Sequence, residues 1–158
     1  MAMLLAIAIV LSILESFIPV FIPGVKLGLA NVIVLIMLYE FKSSEALTVN
    51  LLRIFLVGLL RGTILTPTFL MSLSGGVLSF VVMFILVKFK VFSIIGVSVA
   101  SAFTHSLGQI IMAIFIMSTE AVVYYLPFIA ALSVLTGIIT GMITKLYLSR
   151  SITKRFIE

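Results

Sequence analysis

The chain has 158 residues, of which 63% are hydrophobic and only 9% are charged, and its mean hydropathy is +1.45. Ordinary soluble domains contain about 45–50% apolar and about 25% charged residues, so the composition excludes that class and indicates an integral membrane protein. The chain has no cysteine, which excludes disulfides and thiolate metal sites. Its net charge of +5 comes mostly from the ends of apolar segments and does not point to nucleic acid.

Six apolar segments predict an all-α integral membrane protein with six transmembrane helices, because each span needs about 20 apolar residues. Pro19 and Pro23 end the first helix, since proline lacks an amide donor and disfavours helix just before it. We predict a single transmembrane domain over 1–147 and a basic cytoplasmic tail over 148–158. The predicted helices are 2–18, 27–40, 45–61, 69–87, 92–118 and 122–147.

The basic residues predict the orientation of the bundle, because cytoplasmic connections are enriched in lysine and arginine. With the N-terminus inside, only Lys26, Arg53 and Arg61 fall in the outer half or within the membrane. We therefore predict a multi-pass protein of the bacterial cytoplasmic membrane with both termini in the cytoplasm. The residues on the cytoplasmic side are then Lys42, Lys88, Lys90, Lys145, Arg150, Lys154 and Arg155.

Isolated polar residues within the apolar segments predict a ligand site near the outer face. Lys26 and Asn31 stand between the first two long apolar runs, and such groups are costly in a membrane unless they face protein or a water-filled cavity. Arg53 lies in the middle of the third helix, where a permanent charge needs an anion or a polar network. Two interpretations remain open for Arg53, a salt bridge with Glu15 and contact with an anionic ligand group.

The fifth helix carries His105 and Gln109 one turn apart on one face. Either they form an interhelical hydrogen-bonding pair, because unpaired polar groups are expensive in lipid, or they contact a ligand. A metal site is not expected, because the chain has one histidine and neither cysteine nor aspartate. The predicted substrate-binding residues are Lys26, Asn31, Arg53, His105 and Gln109.

The first helix carries Ala2 and Ala6 one turn apart. Small residues at this spacing let a partner helix approach closely, although they also serve ordinary packing within a bundle. We predict that this surface docks a partner.

The acidic residues argue against an enzyme. The sequence contains five separated glutamates and no aspartate, whereas magnesium-dependent chemistry on phosphates recruits clustered carboxylates. No Gly-x-x-x-x-Gly-Lys-Ser/Thr motif occurs either. We predict a protein that is not an enzyme, binds no cofactor and carries no ATP motor of its own.

Several motifs together resemble the heptaprenyl diphosphate synthase component I family over nearly the whole chain. The sequence departs from that family's pattern at Ser101 and Ser106, where glycine and asparagine are commoner, and at Arg61, where an apolar residue is expected. The matching motifs are Gly24-Val25-Lys26-Leu27-Gly28-Leu29-Ala30-Asn31, Leu51-Leu52-Arg53-Ile54, Ser72-Leu73-Ser74-Gly75-Gly76, Gly96-Val97-Ser98-Val99-Ala100, His105-Ser106-Leu107-Gly108-Gln109 and Thr136-Gly137-Ile138-Ile139-Thr140-Gly141.

That family in turn resembles the substrate-binding S-components of energy-coupling factor (ECF) transporters, which are six-helix proteins with both termini inside and a site near the outer face. The resemblance implies that Ala2 and Ala6 dock a transmembrane coupling subunit and that two ATPase subunits drive uptake. The substrate it implies is an isoprenoid or prenyl diphosphate, and a vitamin-like molecule such as a flavin stays open. The alternatives are a non-catalytic membrane accessory subunit of a heptaprenyl diphosphate synthase and a purely structural anchor.

The predicted orientation is testable because the chain contains no cysteine. In intact cells, an impermeant thiol reagent should leave Glu158→Cys unlabelled and should label it once the membrane is permeabilised. Labelling of position 158 from outside intact cells would show that the C-terminus is not cytoplasmic.

Overall fold

A computed structural model describes residues 1–17, 28–90, 92–118 and 120–155; the side chains of 120 and 151–155 are not among the described ones. The described residues contain no strand, which confirms the all-α, six-helix architecture predicted from the sequence. A short 3-10 helix, Glu120–Tyr125, precedes the last α-helix. The six α-helices are α1 (Ala2–Glu15), α2 (Asn31–Glu40), α3 (Ser43–Leu60), α4 (Pro67–Phe89), α5 (Ile94–Met117) and α6 (Leu126–Arg155).

Four of the helices are long and apolar enough to cross a membrane, which makes the chain a multi-pass membrane protein. They are α3, α4, α5 and α6, the last counted over Ala121–Arg150. The other two are shorter: α1 has 14 residues and α2 has 10, or about 21 and 15 Å at 1.5 Å per residue.

The helices on both sides of the α1–α2 junction are shorter than predicted. α1 ends at Glu15, before the predicted 18, and α2 begins at Asn31, after the predicted 27. Gly28 has φ +83°, a left-handed conformation that a regular helix does not contain. Pro19 and Pro23 lie outside the described residues. At the other end of the chain α6 continues past 147 to Arg155, through a sequence without glycine or proline.

The short helix α2 forms the centre of the bundle. Eight of its ten residues are buried, and Val34 and Met37 are fully inaccessible. A helix that is apolar on all sides is stable only when protein or lipid surrounds it. Here α2 packs against α1, α3, α4, α5 and α6, so it is a core helix of the protein.

Glycines allow α4, α5 and α6 to pack with their backbones in contact. A Cβ atom on Gly75 of α4 would lie 2.6 Å from the carbonyl oxygen of His105 on α5. A Cβ atom on Gly137 of α6 would lie 2.6 Å from Cα of Val99 on α5. Backbone atoms cannot rotate away as a side chain can, so these two positions fix the distances between the three helices.

We expect Gly75→Ala to destabilise the protein by about 1–3 kcal/mol through overpacking, although alanine favours helix over glycine by up to about 1 kcal/mol. Gly96→Ala is the matched control, because a Cβ atom there meets its nearest neighbours at 3.5 Å, an ordinary contact. Thermal unfolding of the two purified variants in the same detergent measures the stability of each. Equal unfolding temperatures for Gly75→Ala and Gly96→Ala would contradict the tight α4–α5 contact.

Candidate ligand-binding site

The charge of Arg53 is buried in the middle of α3, where 4% of the residue is exposed. Its Nη2 donates hydrogen bonds to Oδ1 of Asn50, at 2.7 Å, and to Oδ1 of Asn31, at 3.3 Å. Asn50 precedes Arg53 by three residues on the same helical face, whereas Asn31 comes from the start of α2. Two amide oxygens, one from α3 and one from α2, thus replace some of the water that would otherwise solvate the guanidinium group.

The two asparagines are themselves held by α4. Nδ2 of Asn50 donates to the carbonyl oxygen of Gly76, at 2.9 Å, and Nδ2 of Asn31 donates to Oγ of Ser79, at 3.5 Å. The Ser79 hydroxyl donates in turn to the Gly76 carbonyl oxygen, at 3.1 Å. With their amide nitrogens engaged on α4, the asparagines direct their oxygens at the arginine. The network therefore connects α2, α3 and α4.

Glu15 lies at the end of α1 and is 4% exposed. Its Oε1 accepts hydrogen bonds from the backbone N–H of Gly28 and, at 3.2 Å, from that of Leu29. These amides precede the first turn of α2, so the carboxylate connects the end of α1 to the beginning of α2. Glu15 and Arg53 attract each other electrostatically, while the hydrogen bonds described for Arg53 end on asparagine oxygens.

His105 and Gln109 form the second buried pair, with 4% and 0% of each residue exposed. The two Nε2 atoms lie 3.2 Å apart within α5, so this contact lies within one helix. Two glycines make room for the imidazole ring. A Cβ atom on Gly75 would lie 3.2 Å from His105 Cε1, and one on Gly28 would lie 3.6 Å from His105 Cδ2.

A cavity of about 30 Å³ lies among these groups. Arg53 and His105 line it, while Asn31 and Gln109 hydrogen-bond to those two residues from behind. Lys26, the remaining predicted site residue, lies outside the described residues. The polar side chains in the wall come from α1, α3, α4, α5 and the turn after α3; they are Ser12, Glu15, Arg53, Arg61, Thr63, Thr68, Ser72 and His105.

The wall of the cavity is suited to an anion. It carries the guanidinium groups of Arg53 and Arg61 and the single carboxylate of Glu15. Within the described ranges, no acceptor takes a hydrogen bond from the buried Nε of Arg53, and a buried donor left unsatisfied costs about 1–3 kcal/mol. The volume corresponds to about one water molecule. An anionic group could bind by accepting from Arg53 Nε, provided the cavity widens around it.

The described residues contain no candidate metal site. No group of three or more histidine, cysteine, aspartate or glutamate side chains lies close enough together there to hold a metal ion. The cavity wall offers hydroxyls, one imidazole, one carboxylate and two guanidinium groups, and the guanidinium groups bind anions.

The predicted substrate-binding residues do not include Asn50, Arg61, Thr68 or Ser72. Helical spacing does place Asn50 and Arg61 on one stripe with Arg53 on α3, among the polar residues expected to converge on a ligand. Thr68 and Ser72 belong to the first turns of α4. Their position beside the arginines depends on the turn between α3 and α4, which helical periodicity does not specify.

The predicted docking residues lie on the free side of α1. Ala2 and Ala6 are exposed, whereas Leu4 and Ala8 are buried against the bundle. The exposed face continues toward the end of α1 with apolar side chains such as Val10, which is 54% exposed. A partner helix therefore has access to the small-residue surface.

Comparison with known proteins identifies the family. A family model described as heptaprenyl diphosphate synthase component I matches residues 4–147. No curated protein and no solved structure matches the chain. The matched segment contains the whole cavity wall; it covers α2, α3, α4 and α5 completely and most of α1 and α6. The chain therefore belongs to the heptaprenyl diphosphate synthase component I family.

Proposed function

We propose that the protein is the substrate-binding S-component of an ECF-type transporter, which captures a small acidic substrate at the outer face of the cell membrane for ATP-driven uptake. The observation that carries this proposal is the position of Arg53. A fixed positive charge is buried beside a cavity, and its Nε has no acceptor among the described residues. A charged side chain inside a membrane bundle most often marks a substrate or ion pathway.

A binding subunit agrees better with the residues than an enzyme does. Prenyl diphosphate synthesis relies on carboxylate-held magnesium, but the sequence has no aspartate and the described residues contain no carboxylate cluster. The chain also has no Walker motif. Uptake would therefore depend on partners, namely a transmembrane coupling subunit and two ATPase subunits.

The cavity wall favours a substrate with an acidic group. Arg53 and Arg61 together outnumber Glu15 by one charge, so an added anion is attracted electrostatically. The family's association with prenyl diphosphate synthesis makes an isoprenoid diphosphate the first candidate, and a vitamin-like acid such as a flavin phosphate is the second. Lys26 lies in the sequence just before Gly28 of this wall, and we propose it as a further contact for the same group.

A second function deserves a test because the family description itself favours it. A non-catalytic accessory subunit of a heptaprenyl diphosphate synthase would recruit a soluble catalytic partner to the membrane. Co-purification separates the two proposals: a coupling subunit with ATPases supports transport, and a soluble aspartate-rich synthase supports the accessory role.

The site makes a quantitative prediction for Arg61, which is exposed at the end of α3. Its replacement should therefore leave the buried network of Arg53 intact. Loss of one charge-assisted hydrogen bond costs about 1.5–3 kcal/mol, so Arg61→Gln should weaken binding of farnesyl diphosphate about ten- to a hundred-fold. Calorimetric titration of the protein in lipid nanodiscs measures this affinity, and flavin mononucleotide serves as the second probe.

The matched control is Lys42→Gln, which removes one exposed positive charge from the other end of the same helix. Its affinity for either probe should equal that of the unmodified protein. Equal affinities for Arg61→Gln and Lys42→Gln, with unchanged thermal unfolding, would exclude Arg61 from the site. Binding of neither probe by the unmodified protein would contradict both proposed substrate classes.

The Ala2/Ala6 surface makes a separate prediction about assembly. Ala6→Trp should abolish co-purification of the coupling subunit, because the bulky ring would prevent a helix from approaching α1. Val81→Trp is the control, since it places the same ring on an exposed position of α4. Survival of the complex in both Ala2→Trp and Ala6→Trp would place the docking surface elsewhere on the protein.

A further inference from the structure

A groove of about 450 Å³ lies at the end of the bundle remote from the candidate ligand-binding site. Thr68 of the ligand cavity and Lys90 of this groove are separated by 22 residues along α4 and its cap, or about 33 Å. The groove lies where α4 ends and α5 begins, beside the end of α2 and the later part of α6. Its main contributors are Tyr39, Lys90, Phe92, Ser93, Ile95 and Lys145.

A second groove, of about 460 Å³, adjoins the first and shares Ile95 and Lys145 with it. Its other contributors on α6 include Met142, Ile143 and Leu146, which are 57%, 50% and 56% exposed. These apolar side chains face outward from the bundle, where lipid surrounds a membrane helix. A cationic compartment and an apolar compartment thus meet at one lysine.

The cationic compartment has no acidic residue among its described contributors. Lys90 and Lys145 are both exposed. The nearby Glu40 carboxylate accepts a hydrogen bond from the Tyr147 hydroxyl at 3.4 Å and is not part of the wall. Lys90 caps α4 in a left-handed conformation, φ +53°, which glycine adopts with less strain than lysine.

We propose that the paired grooves bind one anionic phospholipid of the leaflet at this end of the bundle. The lipid phosphate lies between Lys90 and Lys145, close to the Ser93 hydroxyl, and one acyl chain lies along Met142 and Leu146. Lysines at a membrane surface attract anionic lipids, and basic pockets between transmembrane helices hold their head groups. Because Lys145 lines both compartments, one amphiphile can place its phosphate in the first and an acyl chain in the second. A free anion would occupy only the first. This inference does not depend on the proposed transport function.

Native mass spectrometry of the purified protein, incubated with equimolar dioleoylphosphatidylglycerol and dioleoylphosphatidylcholine, tests the proposal. The unmodified protein should retain one phosphatidylglycerol in preference to phosphatidylcholine. The double variant Lys90→Gln/Lys145→Gln should lose about thirtyfold in phosphatidylglycerol affinity, the combined effect expected of two lysines at a membrane surface. Its phosphatidylcholine binding should not change.

Lys88→Gln is the matched control. Lys88 lies on the same end of α4, with its Nζ 5.9 Å from the centre of the Phe84 ring, and it does not line either groove. An equal loss in Lys88→Gln, or equal retention of both lipids by the unmodified protein, would overturn the proposal. Thermal unfolding in lipid-free detergent must be the same for all variants. If the double variant does not fold, Lys90→Gln and Lys145→Gln are tested singly. Each should lose about fivefold in phosphatidylglycerol affinity.

A photoreactive benzoylphenylalanine at Met142 gives an independent readout in intact membranes. The expected product is a crosslink to phospholipid, detected as a mass increase of the chain. A crosslink to another protein in place of lipid would show that a partner subunit covers the groove, and it would overturn the proposal.

Discussion

The buried guanidinium group of Arg53 is the constraint on which the rest of the structure depends. A charge removed from water requires polar partners with good geometry, because the desolvation penalty amounts to several kcal/mol per ion. Here the partners are Asn50 and Asn31, and both are oriented by hydrogen bonds to α4. Breaking either contact would leave charge or amide groups unsatisfied. Through these two asparagines, Arg53 links α2, α3 and α4 beside the cavity.

A second buried polar group, Glu15, connects the end of α1 with the residues just before α2. Irregular backbone is tolerated within a membrane protein only where it is buried in protein or lines a cavity. Glu15 supplies the acceptor for the amides of Gly28 and Leu29, so these two amides are satisfied outside a helix. As a result, the end of α1 and the residues just before α2 form part of the cavity wall. The charge of Glu15 lies near that of Arg53.

Much of the fold follows from the sequence. The six apolar segments and their order agree with the six helices, because a run of apolar residues long enough to span a membrane has few alternatives to a helix. The ends of α1 and α2 were less predictable. Gly28 has a left-handed conformation and its N–H donates a hydrogen bond to Glu15, thirteen residues earlier; no local pattern in the sequence predicts such a contact.

The residues of the candidate site could be predicted from the sequence, but their arrangement could not. Arg53, His105, Gln109 and Asn31 were predictable because each is a polar residue in an apolar segment, where only a specific contact makes it tolerable. The distances between the helices were not predictable; the α4–α5 distance, for example, is set by the backbone contact at Gly75. The contact between His105 and Gln109 agrees with their spacing of one helical turn, whereas the sequence could not show that Gln109 lies outside the cavity wall.

Mass spectrometry of small molecules retained by the protein, purified from its native membrane, tests the central claim most directly. The account predicts one molecule with an acidic group, bound at close to one per chain and absent from a folded Arg53→Gln variant. Retention of the same molecule by both proteins, or of a neutral molecule alone, would contradict the claim that the buried arginine binds the substrate.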